Sequence, residues 1–352
     1  MEPINVGVIG AGGISRIHLH TLSSLPGVRL LAIADVMPEK AQERAVQFNI
    51  PHVFGDHREL LAMDEIAAVH VCTFNQAHRA PTVDALHAGK HVMVEKPMAA
   101  TLADATEMVR AAKETGKLLN CALKTRYSDD IMAARRIIES GELGEIYYAE
   151  TVADRRRGIP GGSFVRQESA GIGATADIGV YALDTALHLM GHPTPVAVSG
   201  ITTDVIGKTH QPPLTPGWRW RSEELSVEEL GIAWVRFDNG AVLVFKTTWA
   251  MHMDSLGGTF FLGDKAGLRL TPELKIFRDE WGCLVDIAPQ AKPTPDVELF
   301  RREIEDFYNA IREGRPAPID PLGVLLTNVI IDGVITSAKA GGAEVQVTVP
   351  EM

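Results

Sequence analysis

The chain opens on a strand-length apolar run, Ile4-Asn5-Val6-Gly7-Val8-Ile9, that passes without a spacer into Gly10-Ala11-Gly12-Gly13-Ile14-Ser15. The spacing nearly matches G-x-G-x-x-G/A. There the first glycine permits a tight turn, the second lets a pyrophosphate approach the backbone, and the helix beyond offers unpaired N–H donors. Ser15 stands where the third small residue belongs and is small enough for close helix–strand packing. A second apolar run, 28–34, ends on Asp35, about twenty residues past the glycines, where a carboxylate accepts the adenosine ribose hydroxyls and repels a 2′-phosphate. NAD is therefore expected over NADP, with Lys40 and Arg44 near enough to soften the preference. Asp35 also suits a cap for a helix starting near Pro38.

The alternation of strand and helix continues. An apolar run at 67–72 leads into Thr73-Phe74-Asn75-Gln76-Ala77-His78, and a helical stretch at 78–88 feeds, through Gly89, the run Val92-Met93-Val94-Glu95-Lys96-Pro97. Three consecutive apolar residues there mark a strand buried on both faces. Ligands of open parallel sheets bind outside the carboxyl ends of the strands, which is where Glu95 and Lys96 fall, and Pro97 biases Lys96 towards an extended backbone. The pattern predicts a doubly wound parallel sheet. Asn75 and Glu95 end neighbouring strands and are expected near the nicotinamide ribose, with Thr73 and His78 beside the cofactor.

Beyond residue 120 the pattern changes. A helix is expected at 130–140, strands at 147–153, 195–203, 226–237, 241–250 and 258–263, and helices at 298–313 and 321–340. Asn239-Gly240 is a strong hairpin signal. This predicts a mostly antiparallel sheet in an α+β domain, and so a division into residues 1–122 and 123–352. Within 171–188, Asp177, Tyr181, Asp184 and His188 are spaced four, three and four apart. On one helix they would share a face, and buried polar stripes need partners, which points to a site. A satisfied structural network is the lesser rival for the stripe as a whole, and for His188 alone it is the preferred reading. The loop Arg155-Arg156-Arg157 suits a substrate contact and a solvated surface equally. Trp218-Arg219-Trp220-Arg221 lies in a Pro-rich insertion, where exposed tryptophans would serve a subunit contact rather than sugar stacking.

Composition narrows the partners. A net charge of −11 over 352 residues disfavours nucleic acid and anionic membrane surfaces. Cys72, Cys121 and Cys283 are scattered, which suits reduced thiols of a cytoplasmic protein. The N-terminus lacks a signal-peptide pattern, and no window is expected to match a membrane span. The histidines share no ligand spacing, so no metal is expected.

The Gly-Ala-Gly-Gly turn, Asp35, Thr-x-Asn-x-x-His at 73–78 and Ala-Gly-Lys-His-Val-x-x-Glu-Lys-Pro at 88–97 resemble the glucose–fructose oxidoreductase/inositol dehydrogenase/rhizopine-catabolism (Gfo/Idh/MocA) family. Segment 171–188 resembles that family's second motif, Gly-Gly-x-x-x-Asp-x-Gly-x-His-x-x-Asp, with Tyr181 where most members carry His. The resemblance implies an NAD-dependent dehydrogenase of a sugar, polyol or inositol-like alcohol. Its cofactor turn would be Gly10, Gly12, Gly13 and Ile14, with Asp35, Thr73, Asn75, His78, Glu95 and Lys96 around the rest of the dinucleotide. Lys96 would take the hydroxyl proton, since a lysine held out of water can act as a base near neutral pH. Asp177 would orient Lys96 or a hydroxyl, Tyr181 would share the proton, and Arg126 and Arg157 would contact substrate. The family further implies a homodimer or homotetramer built on the open C-terminal sheet. Rival readings are an NAD-dependent glycosidase of the same fold and a non-catalytic regulator that binds NAD and sugar.

Overall fold

A computed structural model describes residues 2–210 and 219–352, so the expectation for Trp218 lies outside the described residues. The chain divides into two compact units, Met1–Lys124 with Asp296–Leu325 and Met352, and Thr125–Pro295 with Leu326–Glu351.

The first unit is built on six parallel strands: β1 (Ile4–Ile9), β2 (Val28–Ala34), β3 (His52–Phe54), β4 (Ala68–Val71), β5 (His91–Val94) and β6 (Leu119–Cys121). Their order, β3-β2-β1-β4-β5-β6, reverses direction between β1 and β4, which makes that crevice the switch point where dinucleotides bind. The central strands are apolar on both sides because both faces are covered: Val6, Val8, Val69, Val71, Val92 and Met93 are fully buried. Two of the helices start conventionally. Pro38 opens the helix Pro38–Phe48, and Thr101 caps Leu102–Thr115 by accepting the Asp104 N–H. A late segment completes this unit. The amphipathic helix Asp296–Glu313 packs beside Ser15–Ser24 and puts Ile304, Phe307 and Tyr308 into one core with Leu19, Leu22 and Met93.

Among the described residues the second unit holds nine strands: β7 (Ile146–Asp154), β8 (Pro195–Thr203), β9 (Leu230–Phe237), β10 (Val242–Thr248), β11 (Phe260–Gly263), β12 (Ala266–Arg269), β13 (Lys275–Glu280), β14 (Cys283–Ile287) and β15 (Val345–Gln346). The order is β14-β13-β12-β11-β7-β10-β9-β8-β15, antiparallel at every pairing except β7 with β10. One face is buried by Ala233, Val235, Leu243 and Phe245, and the helix Gly179–Leu189 packs on β7 and β10. The opposite face carries Tyr148, Ile232, Trp234 and Val244, with Trp234 46% exposed. Gly240 takes φ +85° in the expected hairpin between β9 and β10.

Three expectations need correction. Residues 171–188 do not form one helix: Ala174–Asp177 and Gly179–Leu189 are separated at Ile178 (φ −101°). Gly179 lies so close to the sheet that a Cβ there would come within 2.7 Å of the Phe245 ring. Trp220 is not exposed. It is 5% accessible, clusters with Leu225 and Trp249, and donates its Nε1–H to Gly207 O at 2.9 Å, so both ends of the indole are satisfied inside. Finally, the helix Pro321–Lys339 is long and apolar enough to match a membrane span, with a mean hydropathy of 1.5. Its apolar stretch is core material, since 67% of it is buried and Val329, Ile330 and Val334 are almost fully so.

Candidate active site

In the first unit the glycine turn leaves β1 with Gly10 at φ +99°. A Cβ at Gly10 would stand 2.6 Å from Cys72 O, so only glycine fits. Around Gly12 and Gly13, by contrast, an added Cβ would meet nothing within 4 Å. That open backbone, at the start of a helix with no side-chain cap at Ile14, is what an approaching pyrophosphate requires. The residues present therefore fit a dinucleotide. Ser15 closes the turn by donating to Gly12 O at 2.8 Å. Asp35 stands over the same turn: Oδ2 accepts the Ala11 N–H at 2.6 Å, and Oδ1 accepts the Met37 N–H at 2.8 Å. Its charge is thus fixed beside the glycines by two backbone donors.

The tips of β4 and β5 carry the other residues. Thr73 Oγ1 donates to Ala77 O at 3.0 Å, bracing the single turn Asn75–Ala77. His78 is buried, and its Nδ1 lies 2.8 Å from Pro97 O and its Nε2 3.2 Å from Thr73 O. Burial holds its pKa below the ordinary imidazole value. Both ring nitrogens face carbonyl oxygens, and the shorter contact, Nδ1–H to Pro97 O, ties the ring to the residue after Lys96. Glu95 points inward and is 5% exposed. Its Oε1 lies 2.7 Å from His18 Nε2, and its Oε2 accepts the Lys96 N–H at 3.1 Å. Lys96 itself is partly exposed at the strand tip and is joined to Pro97 by a cis peptide.

In the second unit, Asp177 is 6% exposed, and its Oδ2 accepts the Trp249 Nε1–H at 2.9 Å. Arg155 Nη1 lies 4.0 Å from the same oxygen, near enough for its guanidinium to feel both Asp177 and Tyr181. Tyr181 follows on the next helix and is partly buried. The rest of the stripe has structural partners. Asp184 is fully buried and takes a bidentate pair from Arg126, at 2.8 and 2.6 Å. Burial, aided by the Arg126 charge, pushes His188 down to about 3. Arg157 donates to Met251 O and stands 3.0 Å from a ring nitrogen of His252. Sequence reasoning gave Arg155 no role apart from its two neighbours and gave Trp249 none. Only the pairing of β7 with β10, far apart in the chain, brings both beside Asp177.

Residues 4–123 match a family model described as an oxidoreductase family, NAD-binding Rossmann fold, and residues 131–269 match the GFO/IDH/MocA C-terminal domain. D-glucoside 3-dehydrogenase of Escherichia coli (strain K12) is 32% identical over 322 residues, 90% of each chain. Inositol 2-dehydrogenase of Burkholderia lata is 33% identical over 144 residues, 40% of this chain and 43% of that protein. Among solved structures, levoglucosan dehydrogenase in complex with NADH superposes with a TM-score of 0.83 at 24% identity, covering all of both chains. An oxidoreductase domain protein from Kribbella flavida gives 0.85 at 21% identity, again over both full lengths. At such identities the likeness is one of fold.

Proposed function

Because the chain belongs to the Gfo/Idh/MocA family of oxidoreductases, and its first unit is an NAD-binding Rossmann domain, we propose that it oxidises a secondary alcohol of a sugar, polyol or inositol-like ring, with Lys96 as the acid/base. The observation that carries this reading is the fixing of Lys96. Its own N–H is bound by Glu95, and the carbonyl of the next residue is bound by His78. Such bracing suits a side chain that must meet a reacting hydroxyl in one geometry.

Bound NAD supplies the hydride acceptor. Lys96 takes the hydroxyl proton as the carbon is oxidised and returns it in the reverse direction. Asp177, held by the Trp249 N–H and facing Arg155, accepts hydrogen bonds from substrate hydroxyls, while Tyr181 shares the proton. Arg155 takes the substrate-facing role in place of Arg157, and Arg126 serves the fold through Asp184. Relatives named for D-glucoside, inositol and levoglucosan support a cyclic polyhydroxylated substrate. The apolar open face around Trp234, Ile232 and Val244 supports a homodimer or homotetramer through the second unit. An exposed free thiol at Cys283 suits the reducing cytoplasm.

The test is an NADH-formation screen over D-glucosides, inositols, anhydrosugars and sugar acids. Lys96→Met should bind NAD normally and lose turnover by ~10² or more on the best substrate. Near-normal turnover in that variant removes Lys96 from the role. Glycoside cleavage without net NADH would instead identify a glycosidase, and NAD binding without any turnover would identify a regulator.

A further inference from the structure

A set of ionisable side chains, of which the proposed chemistry uses only Glu95, fills the core of the first unit. His18 comes from the helix Ser15–Ser24, His70 from β4 and Glu95 from the tip of β5, while Glu303 and Tyr308 come from the helix Asp296–Glu313. All are at most 5% exposed. Besides its 2.7 Å contact with Glu95, His18 sets its Nδ1 2.7 Å from His70 Nδ1, and His70 Nε2 lies 2.9 Å from the Tyr308 oxygen. A carboxylate only accepts, so His18 Nε2 carries a proton, and the two facing Nδ1 atoms share one more.

The surroundings decide which ring holds that second proton. Burial disfavours charge on His18, yet the neighbouring Cys72 and Glu95 outweigh it and lift the imidazole well above its ordinary value. Burial pushes Glu95 up, but His18, Lys96 and His78 bring it below the usual carboxylate range. His70 is driven down by burial and by the His18 charge. The consistent arrangement is an imidazolium at His18 that donates to both Glu95 and His70, with the His70 Nε2–H donating to Tyr308. Glu303, raised by burial and by the Glu95 charge, is a neutral acid, and burial keeps the Tyr308 phenol protonated. Lys124 acts on Glu303 and Arg312 on Tyr308, while the edge of the Phe300 ring meets His18.

We infer that His18 is a positioning residue for Lys96: its charged ring holds the Glu95 carboxylate, and that carboxylate fixes the backbone from which Lys96 projects. The inference rests on Lys96 being the acid/base. Without the imidazolium, the buried Glu95 loses the largest influence that keeps it ionised and retains only those of Lys96 and His78, so it takes up a proton at a higher pH than in the unaltered protein. The grip on Lys96 then weakens as pH falls.

The experiment compares pH profiles of kcat for NADH formation in the unaltered protein, His18→Gln and His18→Gln with Glu95→Gln. Glutamine keeps one N–H for Glu95 and carries no charge. On the acid side, log kcat should fall with a slope of about one in the unaltered protein and about two in His18→Gln, because two groups then protonate. The double variant should return to a slope near one. At about pH 8, above the range of an ordinary histidine, nitrogen NMR of the cofactor-free protein should show both His18 ring nitrogens protonated. An unchanged slope in His18→Gln, or a singly protonated His18, overturns the inference. The NMR result comes from the unaltered chain, so it decides even where the variant does not fold. Turnover retained in Lys96→Met strikes the reading of Lys96 and leaves the protonation of His18 to stand or fall by itself.

Discussion

The indole N–H of Trp249 donates to Asp177 Oδ2 at 2.9 Å, and both side chains are buried in the second unit. Trp249→Phe fills much of the same space and removes the donor. A buried acceptor left without its partner costs about 1–3 kcal/mol. The denaturation midpoint should drop accordingly, and KM for the sugar should rise while NAD binding, measured by titration, holds. An unmoved midpoint would mean that water takes the place of the indole N–H.

Asp35 offers a second test, because its carboxylate has two jobs. It accepts the Ala11 N–H and it sets a negative charge beside the glycine turn. Asp35→Asn keeps an acceptor for Ala11 and deletes the charge. The preference for NAD over NADP in kcat/KM should fall by about tenfold, equivalent to ~1.4 kcal/mol. If the ratio stays put, the discrimination lies elsewhere in the turn.

Arg126 and Arg155 should separate stability from substrate binding. The Arg126 and Asp184 side chains are 8% and 0% exposed, so Arg126→Met strands a buried carboxylate. Breaking a buried pair from one side costs about 3–5 kcal/mol. Arg155→Met should move the unfolding midpoint far less and raise KM for the sugar instead. Equal losses of stability in the two variants would put Arg155 among the structural pairs.

His188 predicts an acid sensitivity. Its folded pKa of about 3 lies below the ordinary 6.5, so between those values the unfolded chain binds the extra proton. Stability from this group is present above 6.5, is lost progressively as pH falls, and is gone below about 3. The slope contributed is at most about 1.4 kcal/mol per pH unit. His188→Gln should flatten the decline of the denaturation midpoint below pH 6.5. A decline of unchanged steepness would assign the acid sensitivity to other groups.

Local features were legible in the sequence and long-range ones were not. Gly10 can be read because turn geometry is set within a few residues, and Asp35 because it ends the strand that follows the glycine turn. The Arg126–Asp184 pair was invisible, since a polar stripe reads alike whether its partners are substrate or a distant arginine. Helical spacing through 174–189 gives no warning of the break at Ile178, beside which Gly179 packs closely on Phe245 of a distant strand. Spacing along the chain says nothing of His18, on a helix, meeting His70 on β4. A Pro-rich neighbourhood suggests exposure for Trp220, whereas the indole N–H finds a buried carbonyl at Gly207.

Tyr308 reaches His70 from 238 residues further along the chain. During synthesis, then, all six strands of the parallel sheet leave the ribosome long before the segment that covers His18 and His70. A nascent chain halted ahead of Asp296 would hold the glycine turn and Lys96 with a bare apolar flank.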